Sequence, residues 1–120
     1  MNEPRKYYAE KVSLPVWFEY PAGFQKLVKQ GIVDFKPWYL VDAEFALKTY
    51  EMFRARYRRE LFPIAHRHGS DEVACVEEGC GGRVKIINGY TSAGHETEGD
   101  FSSFWEWFRY AINEMIDLNQ

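Results

Sequence analysis

Residues 61–87 read LFPIAHRHGSDEVACVEEGCGGRVKII, and this stretch decides the fold. Leu61–Ala65 is apolar and runs into the polar His66–Gly69. Glu72–Glu77 alternates, with Val73, Cys75 and Glu77 on one side and Glu72, Ala74 and Val76 on the other. Arg83–Ile87 alternates as well, setting Val84 and Ile86 against Arg83, Lys85 and Ile87. Period-two runs of this kind, bounded by Gly, Ser and Asp, predict strands. Gly69-Ser70-Asp71 separates the first pair. Glu78-Gly79-Cys80-Gly81-Gly82 separates the second, and its glycines supply the positive φ a tight connection needs. The expectation is an antiparallel meander with one face under an apolar cover.

Working outward, the flanks read as helices. Pro21 suits a helix start, Phe24, Leu27 and Val28 share a face, and Gly31 suits the end, predicting Pro21–Gln30 as a short helix. Ile32–Lys36 reads either way, and Trp38–Val41 is expected as a strand. Asp42 is a natural N-cap for a helix over Ala43–Arg59 whose buried stripe is Phe45, Ala46, Tyr50, Phe53 and Tyr57. Beyond the meander, Asn88-Gly89 signals a turn. Tyr90–Gly99 reads as a loop, or as a ragged fourth strand around Tyr90-Thr91. Asp100 or Ser102 then caps a last helix over Phe101–Leu118. Its apolar stripe (Phe101, Phe104, Trp105, Phe108, Ala111, Ile112, Met115 and Ile116) is expected to cover the sheet, with Trp107 off to the side. Leu14–Tyr20 is apolar enough to be packed or to form an edge strand, and residues 1–13 read as an arm or a weak short helix. With no β-α-β alternation, the class is α+β: an antiparallel sheet of about four to six strands flanked by helices, the last one long.

The chain has 120 residues, which suits one domain over 1–120, and a net charge of −3, which argues against a general nucleic-acid binder. No apolar run is long enough for a bilayer, and the N-terminal Met-Asn-Glu-Pro-Arg-Lys-Tyr-Tyr is no leader, so no membrane partner is expected and the cytoplasm is the expected compartment. Two cysteines do not make a secreted framework; a Cys75–Cys80 disulfide is open on sequence but disfavoured in a reducing compartment.

Several residues carry possible chemistry. Acidic side chains concentrate late in the chain, and Asp71, Glu72, Glu96, Glu98 and Asp100 are expected on neighbouring loops, a negative rim suited to a basic partner. Solvated loops carry the same pattern. Arg54, Arg56, Arg58 and Arg59 beside Tyr57 could grip phosphates, or simply solvate a helix end. His66, His68, His95, Cys75 and Cys80 lack the spacing of a metal site. No nucleophile elbow, phosphate loop or dinucleotide fingerprint is present, so neither catalysis nor a cofactor is expected. At 18% aromatic, the chain has more large rings than a small core hides, and Trp17, Trp38 and Trp107 are candidates for an exposed anchor.

The order of these pieces is familiar. Leu14-Pro15, a short helix ending at Gly31, Trp38, a capped helix, Phe62-Pro63-Ile64-Ala65, the turn Gly69–Asp71, a hairpin, and Phe101-Ser102-Ser103-Phe104 opening the last helix follow one another over residues 14–116. The chain thereby resembles the SUKH superfamily, the glucan-synthesis-regulator family. It departs from the pattern in spreading the usual glycine-aspartate pair to Gly-Ser-Asp, and in the aromatic content of Leu14–Tyr20. The resemblance implies an α+β domain without general catalytic residues, in which Gly31, Trp38, Pro63, Gly69 and Asp71 mainly define the fold. Many bacterial members are immunity proteins that bind and neutralise a cognate toxin, often a nuclease; fungal relatives are scaffolds in cell-wall signalling. The expected function is toxin neutralisation through a protein interface. The alternatives are a cytoplasmic adaptor and a nucleic-acid binder using Arg54–Arg59.

Overall fold

The computed structural model describes residues 4–120. Six strands lie in sequence order in one sheet: β1 (Asp34–Phe35), β2 (Trp38–Leu40), β3 (Leu61–Arg67), β4 (Glu72–Glu77), β5 (Val84–Asn88) and β6 (Thr97–Phe101). Every neighbouring pair is antiparallel. Three helices accompany them: α1 (Ala22–Gln30), α2 (Ala43–Tyr57), which leaves the sheet after β2 and returns to β3, and α3 (Phe104–Leu118). The fold is α+β, as the residue patterns predict.

The alternation in β4 sorts the core. Cys75 and Val73 join Leu61 and Ile87 in a cluster closed by Phe53 and Tyr57 of α2. Ala74 and Val76 face the other way, with Phe62, Ile64, Val84 and Ile86, into a larger cluster built on Phe24, Trp38, Phe104 and Trp107. Both faces of the central strands are therefore covered, not one. Ala46 and Tyr50 on the other flank of α2 also reach the larger cluster.

Local chemistry sets the helix ends. The Asp42 carboxylate accepts from Phe45 N (2.9 Å) and caps α2. Gly31 closes α1 at φ 76°. Ser103, rather than Asp100 or Ser102, caps α3 by accepting from Glu106 N. The residues before it are strand: Thr97–Phe101 pairs with β5, so the fourth meander strand lies there and not at Tyr90-Thr91.

The N-terminal arm is two short 3-10 turns, Pro4–Tyr7 and Lys11–Ser13; residues 1–3 lie outside the described residues. Leu14–Tyr20 is not a strand. It is packed through Phe18, which stacks on Phe62 (4.1 Å), while Trp17 donates to the Glu60 carboxylate (3.0 Å) that also receives the Tyr50 hydroxyl.

Gly23 is where α1 touches α3. A Cβ there would meet Phe104 Cδ2, and would lie 2.8 Å from Cε2 of the same ring and 3.1 Å from Trp105 Cε2. Alanine favours helix over glycine by about 1 kcal/mol. Even so, Gly23→Ala is expected to lower stability by about 1–2 kcal/mol, because overpacking outweighs propensity. A urea midpoint that rises in this variant contradicts the contact.

Candidate functional site

At the end of the sheet where β3 turns into β4, side chains from five strands gather beside α3. Ser70 Oγ accepts from Glu72 N (2.9 Å), which fixes the start of β4. Because Ala74 and Val76 face α3, strand periodicity puts Glu72 on that face too. Glu72 pairs in register with Asn88, whose amide donates to Glu98 of β6 (3.0 Å). Arg67 ends β3 beside them, with Nε 3.7 Å from Glu72 and Nη2 2.9 Å from Glu114 of α3. Glu114 also accepts from Trp38 Nε1 of β2 (2.7 Å), so one carboxylate ties α3 to two strands.

The charges at this corner do not balance. Arg67 pairs with Glu72 and Glu114, while Glu98 beside Glu72 has the neutral Asn88 amide as its donor. Burial raises the Glu114 carboxyl, but the bonds from Arg67 and Trp38 more than reverse this and leave it below the ordinary range. Glu72 goes the other way: burial and the adjacent Glu98 carboxylate raise it, and Arg67 only partly compensates. A carboxyl whose folded pKa is raised opposes folding once pH has risen through that value. The half-exposed corner thus holds negative charge at a cost to the fold. Tyr110 of α3 stands over it, 38% exposed.

The other expected rim residues separate. Asp71 is exposed on the opposite side, lining a cleft of about 210 Å³ with Thr49, Phe53, Arg56 and Tyr90. Glu96 is not on a rim at all: it is 5% exposed, accepts from Gly94 N (2.6 Å) and pairs with Arg59 (2.8 Å). Asp100 is exposed but paired with Arg83 (2.9 Å) across the edge strand. Of the five acids, only Glu72 and Glu98 meet. Trp38 and Trp107 are each 0% exposed and meet edge to face at 5.6 Å, so neither is a surface anchor. The exposed tryptophan is Trp105, at 45%. Sequence reasoning missed Arg67, Tyr110, Glu114 and Trp105. Glu114 left a signal: it falls seven residues after Trp107, on the same helix face, where a carboxylate needs buried donors.

The arginine cluster is largely committed to structure. Arg59 makes a two-pronged pair with Glu77 (2.9 and 2.9 Å), and Arg54 pairs with Glu60 (3.1 Å) and Glu51 (3.9 Å). Arg56 lies over the Tyr57 ring and reaches the Tyr90 carbonyl (3.5 Å), and Arg58 is exposed at the left-handed end of α2. Two separated cations are a poor phosphate grip.

His66 is also engaged. Nε2 lies 2.8 Å from the Ser70 carbonyl, which only accepts, so Nε2 carries the proton and Nδ1 accepts from Tyr39 Oη (2.7 Å). Cys75 and Cys80 are free thiols, and burial pushes Cys75 well up. Among the described residues, no group of three or more His, Cys, Asp or Glu side chains is placed to hold a metal ion, and no helix is long and apolar enough to cross a membrane. Comparison of the chain with protein-family models, curated proteins and solved structures returns no match.

Proposed function

We propose that this chain is a non-catalytic binding domain of the SUKH type, an immunity protein that neutralises a basic cognate toxin by covering its surface. The observation that carries the reading is the unbalanced corner, where Glu72 and Glu114 share Arg67, Glu98 adjoins Glu72, and burial together with that neighbour raises the Glu72 carboxyl. Negative charge retained against stability has a use when the compensating cations arrive with a partner. A nuclease suits this surface, since an enzyme that grips phosphates presents Lys and Arg. The order of motifs from Leu14-Pro15 to Phe104 supports the family; the absence of a nucleophile-base pair in sequence context supports binding over catalysis.

Titration calorimetry against the protein encoded beside this chain tests it. The expected result is a one-to-one complex that weakens with salt, and at least tenfold with Glu98→Lys. A complex indifferent to both Glu98→Lys and Glu72→Lys contradicts the acidic corner. The same corner predicts an opposite effect on the free protein. Glu98→Gln keeps an acceptor for Asn88, removes the like charge beside Glu72 and is expected to raise stability by about 0.5 kcal/mol at neutral pH. A loss of stability in denaturant titrations would show that the carboxylates are not in conflict.

A further inference from the structure

On the other face of the sheet from the acidic corner, α2 leaves open the cleft of about 210 Å³ that Asp71 lines. Phe45, Thr49, Met52, Phe53 and Arg56 recur along one face of α2 and form one wall. His66, Asp71, Val73, Gly89 and Tyr90 form the other. Gly89 keeps the passage wide: a Cβ there would stand 3.5 Å from Phe53 Cε1 and 3.9 Å from Met52 Cε.

Three polar groups in this lining are left over. Thr49 is 9% exposed, and its hydroxyl meets no hydrogen-bond partner among the described residues. The Asp71 carboxylate has neither donor nor cation among them. Arg56 pairs with no carboxylate among them. It rests over the Tyr57 ring (5.7 Å) and 3.5 Å from the Tyr90 carbonyl, contacts that leave its charge uncompensated. His66 is not a fourth, because its ring nitrogens are engaged with Tyr39 and the Ser70 carbonyl. A carboxylate and a guanidinium thus line one cleft without pairing, around a buried hydroxyl that lacks a partner.

We propose that this cleft binds a small zwitterion, an α-amino acid with an apolar side chain, its ammonium on Asp71 and its carboxylate on Arg56. Phe45, Phe53 and Val73 receive the apolar part, and the Thr49 hydroxyl, which can donate or accept, bonds a remaining polar atom of the ligand. The two opposite charges select this class: a simple amine leaves Arg56 uncompensated, and a simple acid leaves Asp71 so. Pockets for drug-sized ligands run to about 300–1,000 Å³, and this cleft, at about 210 Å³, is of a size for a free amino acid. The site lies apart from the acidic corner and does not depend on the toxin reading.

An amide-resolved NMR titration of the intact chain with L-leucine tests it, beside isoamylamine, which is leucine without the carboxylate, and isocaproate, which is leucine without the ammonium. Leucine is expected to shift the amides of Thr49, Asp71 and Gly89 with a dissociation constant of about 1 mM or below. Each analogue is expected to bind at least tenfold more weakly. Asp71→Asn should weaken leucine at least tenfold and isocaproate not at all; Arg56→Gln should weaken leucine as much and isoamylamine not at all. Both side chains are exposed, so the variants keep the fold, which circular dichroism checks. Thr49→Val removes an unpaired hydroxyl at nearly constant shape, and should weaken leucine severalfold without lowering the melting temperature. No saturable shift up to about 10 mM, shifts confined to other parts of the chain, or an analogue that binds as tightly as leucine overturns the inference. So do shifts at these three amides that the neighbour-encoded protein produces and leucine does not, which would make the cleft part of a protein interface.

Discussion

Replacing Trp107 by alanine is expected to lower the free energy of unfolding by about 3–5 kcal/mol, the usual cost of emptying a buried aromatic site. Trp107 is 0% exposed and packs on Phe35 (6.1 Å), Trp38 (5.6 Å) and Phe104 (5.5 Å), so the cavity would open where α3 meets β1 and β2. Its Nε1 has no hydrogen-bond acceptor among the described residues. Trp107→Phe therefore gives up no bond, and should cost about 1–2 kcal/mol. Trp105→Ser, two residues away, should change stability by less than about 1 kcal/mol, because its ring is already half in water. Chemical denaturation of the three variants reads the helix phase directly. Equal losses at Trp105 and Trp107 would mean that α3 is rotated from the orientation described.

Glu77→Gln is the second large effect, and it depends on pH. The two-pronged bond from Arg59, helped by Lys85 (2.9 Å), outweighs burial and takes the Glu77 carboxyl from an ordinary 4.5 to about 2. A carboxyl whose folded pKa lies below its unfolded value stabilises the protein above the unfolded value, and loses that contribution as pH falls to the folded one. The shift from 4.5 to about 2 corresponds to about 3 kcal/mol, present above pH 5 and lost towards pH 2. At pH 7 the glutamine variant should be less stable by about 2–3 kcal/mol, and near pH 2 it should match the parent. Urea midpoints at pH 7, 4 and 2 measure the convergence. Parallel pH profiles for the two proteins would show that the pair with Arg59 contributes nothing to acid sensitivity.

The meander was legible because β4 alternates without interruption and glycines mark its turns. The strand β6 was not, because Thr-Glu-Gly-Asp-Phe has no apolar alternation of its own. It is a strand through its pairing with β5, with a register shift at Ile86/Ile87, and its acidic side chains blunt the outer edge. The phase of α3 was equally hidden. Apolar residues occupy more than half of its circumference, and the sequence reading put Trp105 on the covered stripe with Trp107 off to the side; the structure reverses the two, because Trp107 is the one that packs on Phe35 and Trp38. The acidic rim failed for a different reason. Its charges were visible in the sequence, but their neutralising partners were distant in the chain: Arg59 for Glu96, thirty-seven residues back, and Arg83 for Asp100, seventeen back. Antiparallel pairing brought them together. What remained unbalanced, Glu72 and Glu98 with the unforeseen Glu114, is a smaller site than the rim and a more informative one.

The acidic corner at Arg67 is the surface that the binding reading uses. Growth rescue tests that claim most directly. The neighbour-encoded protein is expressed in a host cell alone, with this chain, and with the chain carrying Glu72→Lys and Glu98→Lys. The account predicts arrest alone, growth with the parent chain and arrest again with the double variant. Arrest that the parent chain fails to relieve would contradict it.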